Sequence, residues 1–144
     1  MVEFRYARGR LIDSIRFISE EMKEFQEEYA EKTWHEYQED KKLQKLTDRT
    51  VENILTALIE LCGTFLTEQG ITVESYGEAL RQTGKVLGFS EKEQEDLFKL
   101  ALQRNRFAHR YLNFRWQAIR LFSEKRGLII RIITILLEKE EGKE

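Results

Sequence analysis

The sequence predicts an all-α protein, a single domain over residues 1–144 folded as a bundle of four or five antiparallel helices. Three observations predict it. No proline occurs anywhere in the chain, so nothing interrupts a long helix by removing an amide donor. Apolar residues recur at spacings of three and four, the period of a helix that buries one face, and no stretch shows the strict alternation of a half-buried strand. The periodic stretches are separated by short polar gaps with no repeat or long linker, and short connections oblige consecutive helices to lie side by side. With 41% hydrophobic residues in 144, such a chain can bury a core without disulfides or a structural metal.

The elements follow in order. Leu11, Ile15, Ile18, Met22 and Phe25 mark one face of a first amphipathic helix, which runs into the acidic stretch EFQEEYAEK, a solvated face. A second helical segment is expected over Trp34 to Glu68, with Leu43, Leu46, Val51, Ile54, Leu55, Leu58, Leu61, Phe65 and Leu66 at helical spacing. Gly70 is placed to stop it. A third helix is expected from Val73 to Val86, with Tyr76, Leu80 and Val86 toward the core. Ser90 followed by Glu93 is a capping box, which starts a fourth helix carrying Leu97, Leu100 and Leu102. After Tyr111 a last helix is expected to about Leu137, ahead of a polar tail that frays.

That last helix is apolar on more than one face, through Leu128, Ile129, Ile132, Ile133, Ile135, Leu136 and Leu137. Either a second copy of the chain covers the excess, as in a homodimer, or the helix is wholly internal. Its longest apolar run, LIIRIITILL, is broken by Arg131 and is half the roughly 20 residues a membrane span needs, so no membrane association is expected. The N-terminus MVEFRYARGRLIDSIRF lacks the apolar stretch and cleavage site of a signal peptide. The single cysteine, Cys62, lies in the apolar run LTALIELCGTFL and reads as a buried thiol. Both features suit a reducing cytoplasm.

Net charge is −2, which by itself argues against a general nucleic-acid binder. The distribution argues otherwise. Between Leu97 and Ser123 there is no Asp or Glu, while Lys99, Arg104, Arg106, Arg110, Arg115 and Arg120 add six positive charges; −2 less those six leaves −8 on the rest of the chain. A basic zone on an acidic body is the footprint of a phosphate-bearing partner. The alternative is a basic helix paired with acidic neighbours.

At the centre of that zone stands RNRFAHRY, residues 104 to 111. Arg104 and His109 are five positions apart, roughly 140° around a regular helix, so they converge only if the helix breaks there or if two copies of the motif face each other. Asn105 and Asn113 flank the segment and favour helix ends, with Phe107 and Ala108 anchoring the turn. The residue types suit phosphate chemistry on RNA. Cleavage without a metal needs a proton taken from the ribose 2′-OH and one returned to the leaving 5′ oxygen, and histidine titrates in the right range. Arginine offers a permanent charge and a fork that fits two phosphate oxygens. His109 and Arg104 are therefore the candidate catalytic pair, with Asn105 orienting His109 or the phosphate. Arg106, Arg110 and Arg115 are candidates for holding the RNA backbone, and Tyr111 or Trp116 for stacking on a base.

The pattern Arg, four residues, His, one residue, Tyr resembles the signature of HEPN-domain toxins of HEPN/MNT toxin–antitoxin systems. DRTVENILTALIEL, SYGEAL and the LGF turn precede the motif in the order that family shows, so the likeness covers roughly Leu46 to Leu137. It implies a HEPN-like bundle that dimerises, bringing two Arg-His pairs to one cleft that acts as a metal-independent endoribonuclease without a cofactor. By position, Arg104 and His109 become the catalytic pair, Asn105 their polar neighbour, and Tyr111 the site where a minimal nucleotidyltransferase (MNT) antitoxin attaches AMP. Added phosphate charge beside the cleft would repel RNA. The chain lacks the transferase's own Gly-Ser and paired-Asp signature, so it is the target of that reaction.

Departures from the family pattern are Arg106, Phe107 and Ala108 where small aliphatic residues are usual, and Arg110 where glycine is frequent. The first forty or so residues, including Trp34, His35 and Tyr37, match nothing and leave their role open. His35 reads as a surface or packing residue. Two histidines and one cysteine make a metal site improbable, and no nucleophile elbow or Gly-rich phosphate loop is present. A second reading keeps the fold without the chemistry: a non-catalytic nucleotide- or RNA-binding HEPN protein that serves as scaffold for a nucleotidyltransferase partner.

Overall fold

The computed structural model describes residues 10–142, and among them there is no strand. Seven α-helices follow one another: α1 (Leu11–Glu28), α2 (Trp34–Glu39), α3 (Lys41–Glu68), α4 (Tyr76–Val86), α5 (Glu91–Gln103), α6 (Leu112–Glu124) and α7 (Arg126–Glu141), with a short 3-10 helix (Arg104–Ala108) between α5 and α6. The all-α bundle is as expected. The count rises because two of the five expected helical segments are divided.

The first division separates α2 from α3. Thr33 caps α2 through a capping box with Glu36, and Asp40, held extended at φ −129° and ψ 102°, caps α3 by accepting from the Leu43 amide at 3.0 Å. An aspartate in that position competes with the helix for its own backbone donors, so the expected run from Trp34 to Glu68 breaks there. The second division lies at Lys125, between α6 and α7, where the chain turns before Gly127. Glycine costs helix stability, and the Lys125 ammonium is drawn aside to Asp96, 3.1 Å away.

Other boundaries follow from local chemistry. Ser75 caps α4, so that helix starts three residues later than the expected Val73. The Ser90–Glu93 capping box is present as read. Helices α3 and α4 both end in the same motif: Gly70 at φ +77° and Gly88 at φ +86° let Ile71 N–H reach the Leu66 carbonyl and Phe89 N–H reach that of Gly84, each at 2.9 Å. This is the Schellman geometry that glycine permits at no steric cost.

Helix α3 is the axis of the core. Its residues Val51, Ile54, Leu55, Leu58, Leu61, Cys62 and Leu66 are buried among α1, α4 and the later helices. It is also long and apolar enough to cross a membrane, but two thirds of its most apolar window is buried inside the bundle, as befits a central core helix. On one side α1 contributes Ile15, Ile18 and Phe25, whose ring meets Phe122 of α6 edge-on at 4.8 Å. On the other, α4 and α5 pack as a tight pair because two glycines of α4 face α5: a Cβ on Gly77 would come within 2.5 Å of the Phe98 ring, and one on Gly84 within 2.8 Å of Leu97.

Several expected core positions are corrected. Leu46, Tyr76, Val86 and Leu102 are exposed, while Leu80, Leu97 and Leu100 are buried as read. On α7, Leu128, Ile129, Ile132, Ile133 and Leu136 are all buried within the single chain. Much of the apolar surplus is thus covered within the chain, but Ile130 is 49% exposed and Ile135 and Leu137 are only partly buried, so the helix is not wholly internal. The polar tail continues α7 to Glu141; residues 143–144, like the first nine on which much of the signal-peptide reading rests, lie outside the described residues.

Candidate functional site

Sequence locates the site at a broken helix, and the break is real. Helix α5 ends at Gln103 and the backbone tightens into the 3-10 helix over Arg104–Ala108 before His109 opens to an extended conformation at φ −80° and ψ 146°. Tyr111 then serves as the residue before α6, without a side-chain cap. Phe107 ties the turn to the core, whereas Ala108, expected beside it, is exposed. Short 3-10 stretches often mark functional departures from a regular helix.

Arg104 is half-buried and held from two other helices. Its Nε donates to Thr56 Oγ1 of α3 at 2.8 Å, and its guanidinium lies over the Tyr76 ring of α4 at 5.7 Å from the centroid, within cation–π range. Glu60, one turn beyond Thr56, is close enough for Arg104 to act on its ionisation. Burial pushes the Glu60 carboxyl above the ordinary range and the Arg104 charge only partly draws it back, and Oε2 is buried with no hydrogen-bond partner.

His109 has different surroundings. It is exposed, and its ring meets Phe114 edge-on at 5.4 Å; Tyr111 meets the other side of the cluster, also edge-on to Phe114, at 5.7 Å. Tyr111 is 59% exposed, its hydroxyl borne on the rim of the turn. No hydrogen bond joins Arg104 to His109 among the described residues, and Asn105, exposed, bonds to neither of them. The turn thus presents a fixed cation and an accessible imidazole as two separate features of one segment.

The flanking arginines divide. Arg106 donates to Gln117 at 2.9 Å at the surface, and Arg110 is exposed with no hydrogen bond or ion pair among the described residues. Arg115 is a correction. Its guanidinium is turned inward onto Asp48 of α3, 2.7 Å from Oδ2, with both side chains largely buried. Asp48 also accepts from the hydroxyl of fully buried Tyr37 at 2.7 Å. Burial pushes the Asp48 carboxyl up against the pull of Tyr37 and Arg115, and burial together with the Asp48 hydrogen bond pushes the Tyr37 phenol well above its usual range. Arg115 therefore holds the bundle together where it was expected to hold RNA.

Trp116 is a second correction. It is half-buried against Tyr37 at 5.1 Å and Trp34 at 6.1 Å, so it is no free platform for a base. The exposed indole is Trp34, at the start of α2. Sequence reading missed four residues around this site. Thr56 and Glu60 stand four apart in an otherwise apolar stretch of α3, a spacing that puts both on one face; that pair of polar residues was the available signal. Trp34 and Gln38 carry the same spacing on α2, with nothing in the sequence to say that they lie across from Tyr111.

Cys62 is fully buried and its thiol is pushed up to about 12 by burial, which leaves it inert. Among the described residues no three His, Cys, Asp or Glu side chains gather in a group that would hold a metal ion.

An all-α bundle that carries an Arg–x4–His segment is consistent with the HEPN class. A family model described as Ribonuclease HepT-like matches residues 18–122, well over half of the chain, and the chain belongs to that family of ribonucleases. The match runs from within α1 to Phe122 in α6, contains every residue of the motif, and leaves α7 outside. None of the curated proteins matches the chain.

Proposed function

We propose that this protein is a metal-independent endoribonuclease, the toxin of a toxin–antitoxin pair, working as a cytoplasmic homodimer. The observation that carries the reading is the contrast within one turn: Arg104 is anchored by Thr56 and Tyr76, while His109 is free at the surface beside it. An anchored cation suits a charge that develops in one place, and an accessible imidazole suits a proton in transit.

In the cleavage step His109 of one protomer removes the 2′-OH proton and the 2′ oxygen attacks the adjacent phosphorus. The bond to the 5′ oxygen breaks, and that oxygen takes a proton from the His109 of the second protomer. The products are a 2′,3′-cyclic phosphate and a 5′-hydroxyl, and the two histidines exchange protonation states. Arg104 stabilises the negative charge on the non-bridging oxygens, Asn105 gains a role only once substrate is bound, and Arg106 and Arg110 hold the flanking backbone.

Control by an MNT-type nucleotidyltransferase antitoxin fits the position of Tyr111, whose exposed phenol is accessible to a modifying enzyme. AMP placed there sets a negative phosphate among the cations meant for RNA. The non-catalytic scaffold reading is favoured by one observation, that no hydrogen bond joins Arg104 to His109 among the described residues of a single chain. Incubating the unmodified protein with labelled single-stranded RNA in EDTA separates the two. Cleavage that His109→Ala and Arg104→Ala each reduce at least about 100-fold supports the nuclease; binding without turnover by native protein overturns it.

A further inference from the structure

Beside the motif the surface opens into a recess of about 590 Å³ lined by Trp34, Gln38, Arg110, Tyr111, Leu112 and Asn113, within the range of ligand clefts, about 300–1,000 Å³. Two of these residues come from α2, the segment to which the sequence assigned no role. We propose that this recess is a nucleobase subsite: an unpaired base next to the scissile phosphate of RNA stacks on Trp34 and Tyr111, Gln38 and Asn113 bond its edge, and Arg110 takes the adjoining phosphate. The proposal rests on the ribonuclease reading and deepens it.

The chemistry of the lining is what selects a base. Both aromatic rings are accessible, Trp34 at 39% and Tyr111 at 59%, and stacking on such rings is how single-stranded nucleic acid is held without regard to pairing. The two amide side chains each offer a donor and an acceptor, the complement of a base edge. No carboxylate lines the recess, and Arg110 brings a charge that no neighbour among the described residues satisfies. The recess shares Tyr111 and Arg110 with the motif, so a base bound there lies one or two nucleotides from His109.

Trp34 is also held ready. Its ring stacks on Tyr37 with a 23° interplanar angle at 6.3 Å and touches Trp116 at 6.1 Å. Tyr37 in turn is fixed by Asp48, and Asp48 by Arg115. A platform whose supports are buried loses little freedom on binding. The inward-turned Arg115 thereby serves the substrate indirectly, through the ring that it helps to hold.

Trp34 and Trp116 are the only tryptophans, which supplies a direct readout. In a Trp116→Phe protein Trp34 is the sole indole, and a short single-stranded RNA is expected to quench its emission saturably. In a His109→Ala background, where RNA survives, Trp34→Ala is expected to weaken binding of the same RNA about ten-fold, and Gln38→Ala to weaken it less. Circular dichroism and melting curves check that each variant is folded. If native protein cleaves and binds RNA but Trp34 emission does not change and Trp34→Ala binds like its parent, the subsite is wrong and the nuclease stands. If native protein neither binds nor cleaves RNA, both fail together.

Discussion

At the scale of single residues, the motif divides labour between a side chain that is held and one that is free. Thr56 is the hold on Arg104: Thr56→Val keeps the shape and removes the acceptor, and is expected to lower kcat several-fold with little change in KM, as measured by steady-state cleavage of a short RNA. Glu60 carries an opposing effect. Its carboxyl is raised by burial, so its charged form is disfavoured in the folded protein, and folding gains stability as pH falls through the raised value. Glu60→Gln is therefore expected to raise Tm at pH 7 and to lose that advantage in acid. Asp96 has the reverse sign. Burial raises its carboxyl, but Lys125 at 3.1 Å and Lys92 at 3.5 Å outweigh burial and hold it below the ordinary aspartate value. Its contribution is present above that value and disappears as pH falls through the lowered one. Asp96→Asn should lower Tm at neutral pH, with the difference from native protein closing below about pH 4.

At the scale of helices, most boundaries were legible because capping is local. Ser90 with Glu93, and Gly70, announce their roles within four residues, and the structure places them as read. The division at Asp40 carried its own signal too, an N-capping residue inside an otherwise periodic stretch, and hydrophobic spacing overrode it. What spacing alone could not give was the partner of a charged residue. Arg115 looks like its basic neighbours in sequence, yet the Asp48 it pairs with lies 67 positions earlier. Only the packing of α3 against α6 turns that arginine inward. Removing it leaves a buried carboxylate without its cation, a change that costs about 3 kcal/mol, so Arg115→Ala should lower stability in urea titration by about that amount. Trp34 escaped notice for the same reason, since α2 meets the motif only in three dimensions. In α4 the two glycines that admit α5 set a further limit: Gly77→Ala drives a methyl into the Phe98 ring and is expected to destabilise the pair by about 1–3 kcal/mol.

At the scale of the whole molecule, the fold is a scaffold around α3 that leaves one end of the bundle basic and irregular. The core is shared among all the long helices, including α7, most of whose apolar residues are covered within the chain although Ile130 is exposed. The case for a dimer therefore rests mainly on the chemistry of the turn, where two proton-transfer roles and one histidine in each copy of the motif call for two copies, and it should appear in light scattering as a mass of twice 17.3 kDa. Family membership places the chain among ribonucleases, and the central claim is that Arg104 and His109 make it one without a metal. The measurement that tests this most directly is cleavage of labelled single-stranded RNA by the purified, unmodified protein in EDTA, beside folded Arg104→Ala and His109→Ala variants. Products ending in a 2′,3′-cyclic phosphate from native protein alone are the expected result. Cleavage that persists in His109→Ala, or none from native protein whose Tyr111 carries no AMP, would contradict it.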